Sequence, residues 1–133
     1  MIYIDSCVPI YAALDSGPRG KWSRALLQSI EKGDEPAVTA ALTLDEFTYK
    51  VRKEEGVETS VEAGRALLMF PNLRFIPVDD GVLWKSLELV EEYGLYPRDS
   101  IHAGSAILQG IVTIVSVDKD FDIIPEIERK WMD

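Results

Sequence analysis

The sequence is poor in the residues on which several common functional sites depend. It contains one cysteine, Cys7, and one histidine, His102, which excludes an internal disulfide and a zinc cluster built from these residues. It also lacks the glycine-rich patterns of dinucleotide-binding turns and of phosphate-binding loops. This absence argues against a nucleotide-binding module of either kind.

Long apolar runs and an excess of positive charge are missing as well. The apolar stretches fall far short of the roughly 18 residues that span a bilayer, and the first residues lack the basic start of a secretion signal. We therefore expect a cytoplasmic protein with no membrane partner. The net charge of −9 argues against a general binder of nucleic-acid backbones, which would be basic. A metal-dependent nuclease stays possible, because there a cation meets the phosphate.

The composition is that of an ordinary folded domain. The chain has 133 residues, of which 47% are hydrophobic and 28% charged. A chain of this length buries about two-thirds of the surface that its unfolded form exposes, so its core is large enough to fold without disulfides. We expect one domain that spans residues 1–133.

Short apolar runs alternate with longer stretches of helical periodicity along the chain. The runs predict strands at residues 2–4, 36–40, 73–78 and 111–115, and the segment 123–132 has no clear assignment. The periodic stretches predict helices at about residues 8–14, 22–30, 43–55, 61–70, 80–93 and 99–108, with a break at residues 17–20. This alternation predicts an α/β fold in three layers, with a mostly parallel sheet and helices on both faces.

Four carboxylates stand beside the ends of predicted strands. Asp5 ends the first strand, Glu46 lies near the start of the helix after the second, and Asp118 follows the last apolar strand. Asp99 begins the helix that leads into that strand. Ligands of open α/β sheets bind at the carboxyl ends of the strands, so these side chains can converge. All-oxygen ligands suit Mg²⁺ or Mn²⁺, ions that activate water for hydrolysis.

Each of these acids also has a purely structural interpretation. Asp5 fits an N-cap, Glu46 fits a capping box with Thr43, Asp99 suits the positive end of a helix, and Asp118 suits a turn. Four separate caps on one edge of a sheet are a less economical explanation than a single metal site. The sequence therefore favours the metal site.

Four stretches of the chain form an ordered set of motifs with consistent spacing. They are Ile2-Tyr3-Ile4-Asp5-Ser6, Leu42-Thr43-Leu44-Asp45-Glu46, Arg98-Asp99-Ser100-Ile101-His102-Ala103 and Val115-Ser116-Val117-Asp118-Lys119-Asp120-Phe121-Asp122. In these motifs, which extend over nearly the whole chain, the protein resembles PIN-domain ribonucleases, in particular the small VapC-type toxins of toxin–antitoxin pairs. The resemblance implies a five-stranded parallel sheet and hydrolysis of single-stranded RNA by a water that Mg²⁺ or Mn²⁺ activates.

The resemblance makes the four acids the catalytic metal ligands. It also assigns roles to the residues around them. Ser116 matches a family hydroxyl that orients the site, and Ser6 is a second supporting residue. Asp120 and Asp122 stay open as residues that assist or replace Asp118. Cys7 departs from the asparagine of many relatives, which puts one supporting hydrogen bond in doubt.

His102 shares a helical face with Asp99, three residues before it. It fits either a general base or a donor that supports a neighbouring carboxylate or carbonyl, and the second interpretation leaves it outside the catalytic set. Four basic residues are candidates for RNA contacts: Lys50, Lys53, Arg98 and Lys119. The alternative for Lys50 is an ion pair with Glu46 on an exposed helix.

The resemblance further implies a homodimer and an antitoxin whose basic side chain enters the acidic cleft. Two rival functions stay open. One is a non-catalytic binding scaffold of the same fold. The other is an aspartyl phosphoacceptor or phosphatase, in which Asp5 itself would be the nucleophile. A phosphatase would carry a second aspartate two residues after Asp5, where Cys7 stands.

Overall fold

A five-stranded parallel sheet forms the centre of the protein, as described for residues 1–132 by a computed structural model. The strands are β1 (Ile2–Ile4), β2 (Ala37–Ala40), β3 (Leu73–Ile76), β4 (Thr113–Val115) and β5 (Glu128–Lys130). They lie in the order β3-β2-β1-β4-β5, and every neighbouring pair is parallel. The predicted sheet is confirmed, and all five carboxyl ends lie along one edge.

Helices connect consecutive strands. They are α1 (Cys7–Leu14), α2 (Pro18–Glu31), α3 (Leu42–Glu55), α4 (Val57–Leu68), α5 (Asp80–Tyr93) and α6 (Pro97–Leu108), followed by a 3-10 helix at Lys119–Ile123. None of the helices described for residues 1–132 combines the length and the apolar character needed to cross a bilayer.

The sheet separates two hydrophobic cores, because neighbouring residues of a strand point to opposite faces. In β1, Tyr3 belongs to the core beneath α5 and α6, and Ile4 belongs to the core beneath α1, α2, α3 and α4. Ile114 and Val115 of β4 divide between the two cores in the same way. Strands covered on both faces have no polar alternation, which explains the continuous apolar runs in the sequence.

Two predicted boundaries are wrong, and glycine explains both. Gly20 lies inside α2, where an added Cβ would approach the Asp15 carbonyl oxygen to 1.8 Å, so this glycine permits a close contact and does not break the chain. The helix actually begins at Pro18, a position where proline's missing N–H costs nothing. Gly56, at a φ of 90°, separates α3 from α4 by a single residue. Helix α4 therefore begins four residues earlier than the predicted start at residue 61.

The segment after β4 takes a form that periodicity did not assign. It contains the 3-10 helix and then β5, an edge strand of three residues that pairs with β4. The predicted strands at 73–78 and 111–115 are each shortened by two residues. At the second of these, the Ile111 N–H still bonds to the Ala106 carbonyl at the end of α6, and Gly110 has a φ of 70°. Strand pairing therefore starts only at Thr113.

Candidate active site

Asp5 follows the central strand β1, and hydrogen bonds orient both of its carboxylate oxygens. Oδ1 accepts the Ser6 N–H at 2.8 Å, and Oδ2 accepts the Ser116 hydroxyl at 2.7 Å. Ser116 follows β4, the neighbour of β1, so the parallel pairing brings the two residues together. The residue that precedes α1 is Ser6, and no side chain caps that helix. The interpretation of Asp5 as an N-cap is therefore wrong.

Glu46 lies in α3, and its carboxylate does not cap the backbone N–H groups at the start of that helix. Helix α3 begins at Leu42 with Ala41 as its N-cap, so Thr43 lies inside the first turn, and its hydroxyl bonds to the Thr39 hydroxyl at 2.6 Å. The predicted capping box is therefore wrong. The Glu46 Oε1 atom lies 2.6 Å from Nε2 of His102 in α6.

His102 is buried between the acids and the sheet, with 1% of its surface exposed. Its Nε2 lies 2.6 Å from Glu46 Oε1 and 3.4 Å from Asp5 Oδ1, and its Nδ1 lies 2.6 Å from the Tyr3 hydroxyl. The expectation of a supporting hydrogen bond to a carboxylate is confirmed. With both ring nitrogens engaged inside the protein, the ring is poorly placed for the general-base role.

Burial and charge act against each other in the His102–Glu46 pair. Burial raises the pKa of the Glu46 carboxyl. The hydrogen bond and charge of His102, the hydrogen bond of the Ser6 side chain and the charge of Arg98 together outweigh burial, so the pKa of Glu46 falls below its usual value. Burial lowers the pKa of His102, but the hydrogen bond to Glu46 and the charges of Asp5, Glu46 and Asp99 raise it. The pKa of His102 is therefore above its usual value. Each partner therefore favours the charged form of the other.

A second group of acids contains Asp99, Asp118 and Asp120, with one oxygen of each carboxylate within 4.8 Å of the others. Asp118 Oδ1 accepts the Asp120 N–H at 2.9 Å, so the turn interpretation of Asp118 is confirmed and coexists with its place in the cluster. Asp122 instead pairs with Arg129 of β5, at 2.8 and 3.3 Å. Of the two open candidates, only Asp120 joins the other acids.

The carboxyl group of Asp99 is influenced by charges from both groups of acids. Burial raises the pKa of its carboxyl to about 6, with further contributions from the charges of Asp118, Asp5 and Asp120. Crowded carboxylates take up protons unless a cation compensates them. This donor set of carboxylate oxygens fits a hard divalent cation such as Mg²⁺ or Mn²⁺.

Ser116 connects the two groups of acids. Its hydroxyl donates to Asp5 Oδ2 and accepts the Asp118 N–H at 3.0 Å. Cys7 contacts the same hydroxyl with its sulfur at 3.9 Å, which is a long and weak bond. Burial, and then the charge of Asp5, raise the pKa of the Cys7 thiol to about 12, so the thiol stays neutral. The position that departs from the family therefore adds neither a ligand nor a nucleophile.

Two clefts flank the acids and contain most of the basic candidates. A cleft of about 540 Å³ beside Glu46 is lined by Tyr49, Lys50 and Arg98, among others. A second cleft, beside Asp120, is lined by Tyr96 and Lys119, among others. Lys53 is exposed and is not among the residues lining either cleft. Within residues 1–132, Glu46 pairs with His102 and not with Lys50.

Tyr3 is a member of the site that the sequence did not reveal. It stands between two isoleucines in a buried strand, where an aromatic residue indicates core packing. Its ring does pack edge-on against His102, with centroids 5.7 Å apart. The sequence offered one indication of this role, the hydroxyl group of Tyr3, because a fully buried phenol needs a hydrogen-bond partner.

Comparisons with known proteins agree with this geometry. The sequence profile of the PIN domain family matches residues 2–127. Ribonuclease VapC13 of Mycobacterium tuberculosis is 26% identical over 133 residues, covering 97% of this chain and 98% of the relative.

Two solved structures have the same fold. The crystal structure of VapC20 of Mycobacterium tuberculosis, a sarcin–ricin loop cleaving toxin, gives a TM-score of 0.77 at 17% identity and covers 92% of this chain and 93% of that one. The structure of VapBC2 from Rickettsia felis, bound to a DNA fragment from its promoter, gives a TM-score of 0.75 at 22% identity and covers 100% of both chains.

Proposed function

The chain belongs to the PIN domain family, and from that premise we propose that it is a ribonuclease that hydrolyses single-stranded RNA as the toxin of a toxin–antitoxin pair. The observation that carries the proposal is the convergence of acids from four distant segments at one sheet edge. VapC13, which is similar along its whole length, is named a ribonuclease. Both observations support an enzyme over a non-catalytic scaffold of the same fold.

We propose that Asp5, Glu46, Asp99 and Asp118 hold Mg²⁺ or Mn²⁺, with Asp120 assisting. When bound, such a cation would lower the pKa of a water and neutralise negative charge on the phosphate. The protein's part is to keep the carboxylate oxygens in place. The Ser6 N–H and the Ser116 hydroxyl do this for Asp5, and Ser116 also holds the loop that carries Asp118.

RNA cleavage with defined ends tests this proposal. Single-stranded RNA incubated with the protein and Mn²⁺ should be cut to fragments with 5′-phosphate and 3′-hydroxyl ends, and EDTA should stop the reaction. The phosphoacceptor alternative predicts a covalent phosphate on Asp5 after treatment with acetyl phosphate, which mass spectrometry would detect. Intact RNA together with a phosphorylated Asp5 would overturn the proposal. Cleaved RNA and an unmodified protein would support it.

We further propose that Lys50 and Arg98 contact the RNA backbone beside Glu46, and that Lys119 does so beside Asp120. These residues line the two clefts that flank the acids. Tyr49 and Tyr96, which are 62% and 73% exposed, lie in the same clefts and offer rings for bases to stack on. Lys53 lies outside both clefts, so we expect a smaller contribution from it.

The salt dependence of RNA binding tests these contacts. In an Asp99→Asn background that does not cut, Lys50→Ala and Arg98→Ala should each weaken RNA binding. Each should also reduce the slope of log affinity against log salt by about 0.7, the value for one lost phosphate contact on a single strand. Lys32→Ala is the matched control, because Lys32 is exposed at the end of α2, away from both clefts. A slope that changes equally in the Lys32 variant, or in none, would contradict the assignment.

An antitoxin and a second copy of the chain are the proposed protein partners. An antitoxin that presents a basic side chain would complement the acids at the sheet edge and the net charge of −9. The similar structure of VapBC2 is bound to promoter DNA, which agrees with a role in such a pair. A small upstream reading frame that encodes a DNA-binding protein would identify the antitoxin.

A further inference from the structure

A chain of three hydrogen bonds connects the sheet backbone to Glu46. The Ala40 N–H donates to the Tyr3 hydroxyl oxygen at 3.1 Å, and that hydroxyl lies 2.6 Å from His102 Nδ1. His102 Nε2 then lies 2.6 Å from Glu46 Oε1. Ala40 and Tyr3 are completely buried, and His102 is 1% exposed, so water does not compete for the first two bonds. The third bond ends on Glu46, whose side chain is 19% exposed.

Counting donors and acceptors shows which atom donates in each of these three hydrogen bonds. An amide N–H only donates, so the Tyr3 oxygen is an acceptor towards Ala40, and the single phenol proton must go elsewhere. Within residues 1–132, the short contact left for it is His102 Nδ1, at 2.6 Å. The Thr39 hydroxyl also lies near the phenol, but it already donates to the Ile4 carbonyl and bonds to the Thr43 hydroxyl. A nitrogen that accepts this proton carries none itself in the neutral ring. The ring proton is therefore on Nε2, which donates it to Glu46.

The opposite arrangement has a structural cost. With a proton on Nδ1, both that N–H and the Ala40 N–H would point at the Tyr3 oxygen. The phenol proton would then lose its acceptor at 2.6 Å and would have to turn to the Thr39 hydroxyl, which is already bonded to Ile4 and Thr43. A buried hydrogen-bond donor that loses its acceptor destabilises the folded state. A doubly protonated ring has the same defect at Tyr3, but it still donates to Glu46 through Nε2.

We propose that Tyr3 and His102 are positioning residues of the metal site: the Tyr3 phenol fixes the tautomer of His102, and the ring N–H holds the Glu46 carboxylate in place. The inference rests on the proposed function and extends it. His102 is not itself a ligand, although its Nε2 lies within 4.8 Å of oxygens from Asp5 and Glu46. A ligand would need the Nε2 lone pair, which the proton occupies.

This arrangement couples two helices through the strand between the two cores. Glu46 belongs to α3 on one face of the sheet, and His102 belongs to α6 on the other, one turn after Asp99. Tyr3 anchors the ring to β1, the strand that Asp5 directly follows. The positions of Asp5, Glu46 and Asp99 are therefore all tied to the His102 ring.

The ring nitrogens of His102 give a direct test, because it is the only histidine in the chain. In protein labelled with ¹⁵N-histidine, at a pH where the ring is neutral, NMR should show a proton on Nε2 and none on Nδ1. Addition of Mg²⁺ alone should leave the Nε2 proton in place. Loss of that proton on Mg²⁺ addition, or a proton on Nδ1 before it, would overturn the proposal. Tyr3→Phe should remove the tautomer preference.

Three matched variants test the consequence for the metal. His102→Ala should weaken Mn²⁺ binding, measured by calorimetry, and RNA cleavage by about 10- to 100-fold, as is typical for residues that orient metal ligands. His102→Gln places an amide N–H near the position of Nε2 and should recover most of both. Tyr3→Phe should fall between them.

Melting curves separate positioning from simple stability. If His102→Gln binds Mn²⁺ as poorly as His102→Ala while both remain folded, the proposal is wrong. Should the variants fail to fold, the tautomer of the wild-type ring still decides the question. A wild-type protein that binds Mn²⁺ with the expected tautomer but cuts no RNA would reject the proposed ribonuclease and leave the positioning roles intact.

Discussion

Asp5→Asn, Asp99→Asn and Asp118→Asn are each expected to slow RNA cleavage by roughly a thousandfold or more in a protein that stays folded. A bound cation contributes several kcal/mol of charge stabilisation in the transition state, and about 4 kcal/mol corresponds to roughly a thousandfold in rate. Asparagine keeps the shape of aspartate but removes the negative charge that holds the cation. The measurement is kcat/KM on a single-stranded RNA, beside melting curves of each variant.

Asp34→Asn is the matched control for this series. Asp34 is exposed in the loop between α2 and β2, at the opposite edge of the sheet, and undergoes the same chemical change. It should cut RNA like the wild type. Glu46→Gln should also lose activity, because the amide cannot replace the charge. Full activity in the Asp99 variant, or a comparable loss in the Asp34 variant, would contradict the assignment of the acids.

Millimolar Mn²⁺ is expected to raise the melting temperature markedly. A ligand at 100 times its dissociation constant stabilises the folded state by about 2.7 kcal/mol, which for a chain of this size is on the order of 10 °C. Excess EDTA should reverse the increase. Combining Asp5→Asn with Asp99→Asn should largely abolish it, because two of the proposed ligands lose their charge.

The pKa of Asp99 sets the pH dependence of this shift. Its pKa rises from 3.8 in the unfolded chain to about 6 in the folded protein without metal. The folded state therefore holds the proton more tightly, and this group's contribution to stability is lost as the pH rises from about 4 to about 6. Because a metal ligand must be deprotonated, the Mn²⁺ shift should be larger at pH 7.5 than at pH 5.5. An equal shift at both values in the wild type would contradict the role of Asp99.

The sequence predicted the features that depend on local pattern. Buried parallel strands are apolar on both faces, so β1 and β4 were visible as continuous runs, and the acids that follow them were visible as well. Gly56 and Gly94 marked helix ends because both adopt a positive φ. From these elements the parallel sheet and its edge of carboxylates followed.

The remaining features depend on partners far away in the sequence. Thr43 and Glu46 have the spacing of a capping box, but α3 begins before Thr43, at Leu42. The two side chains bond instead to Thr39 of β2 and His102 of α6. Asp120 and Asp122 look equivalent in the sequence, and only Arg129 of β5 distinguishes them, by pairing with Asp122. No local pattern contains these contacts.

The outer strand β5 has a consequence for how two copies of this chain can associate. Its three residues are Glu128, Arg129 and Lys130, so this one of the two sheet edges carries charge at every position. Charged edge strands discourage the addition of a further strand, since the added backbone would have to desolvate these side chains. In the proposed homodimer, two sheets would therefore not join through β5 into one continuous sheet. Helical surfaces offer apolar side chains for such a contact, for example the face of α5 that exposes Trp84 and Leu87.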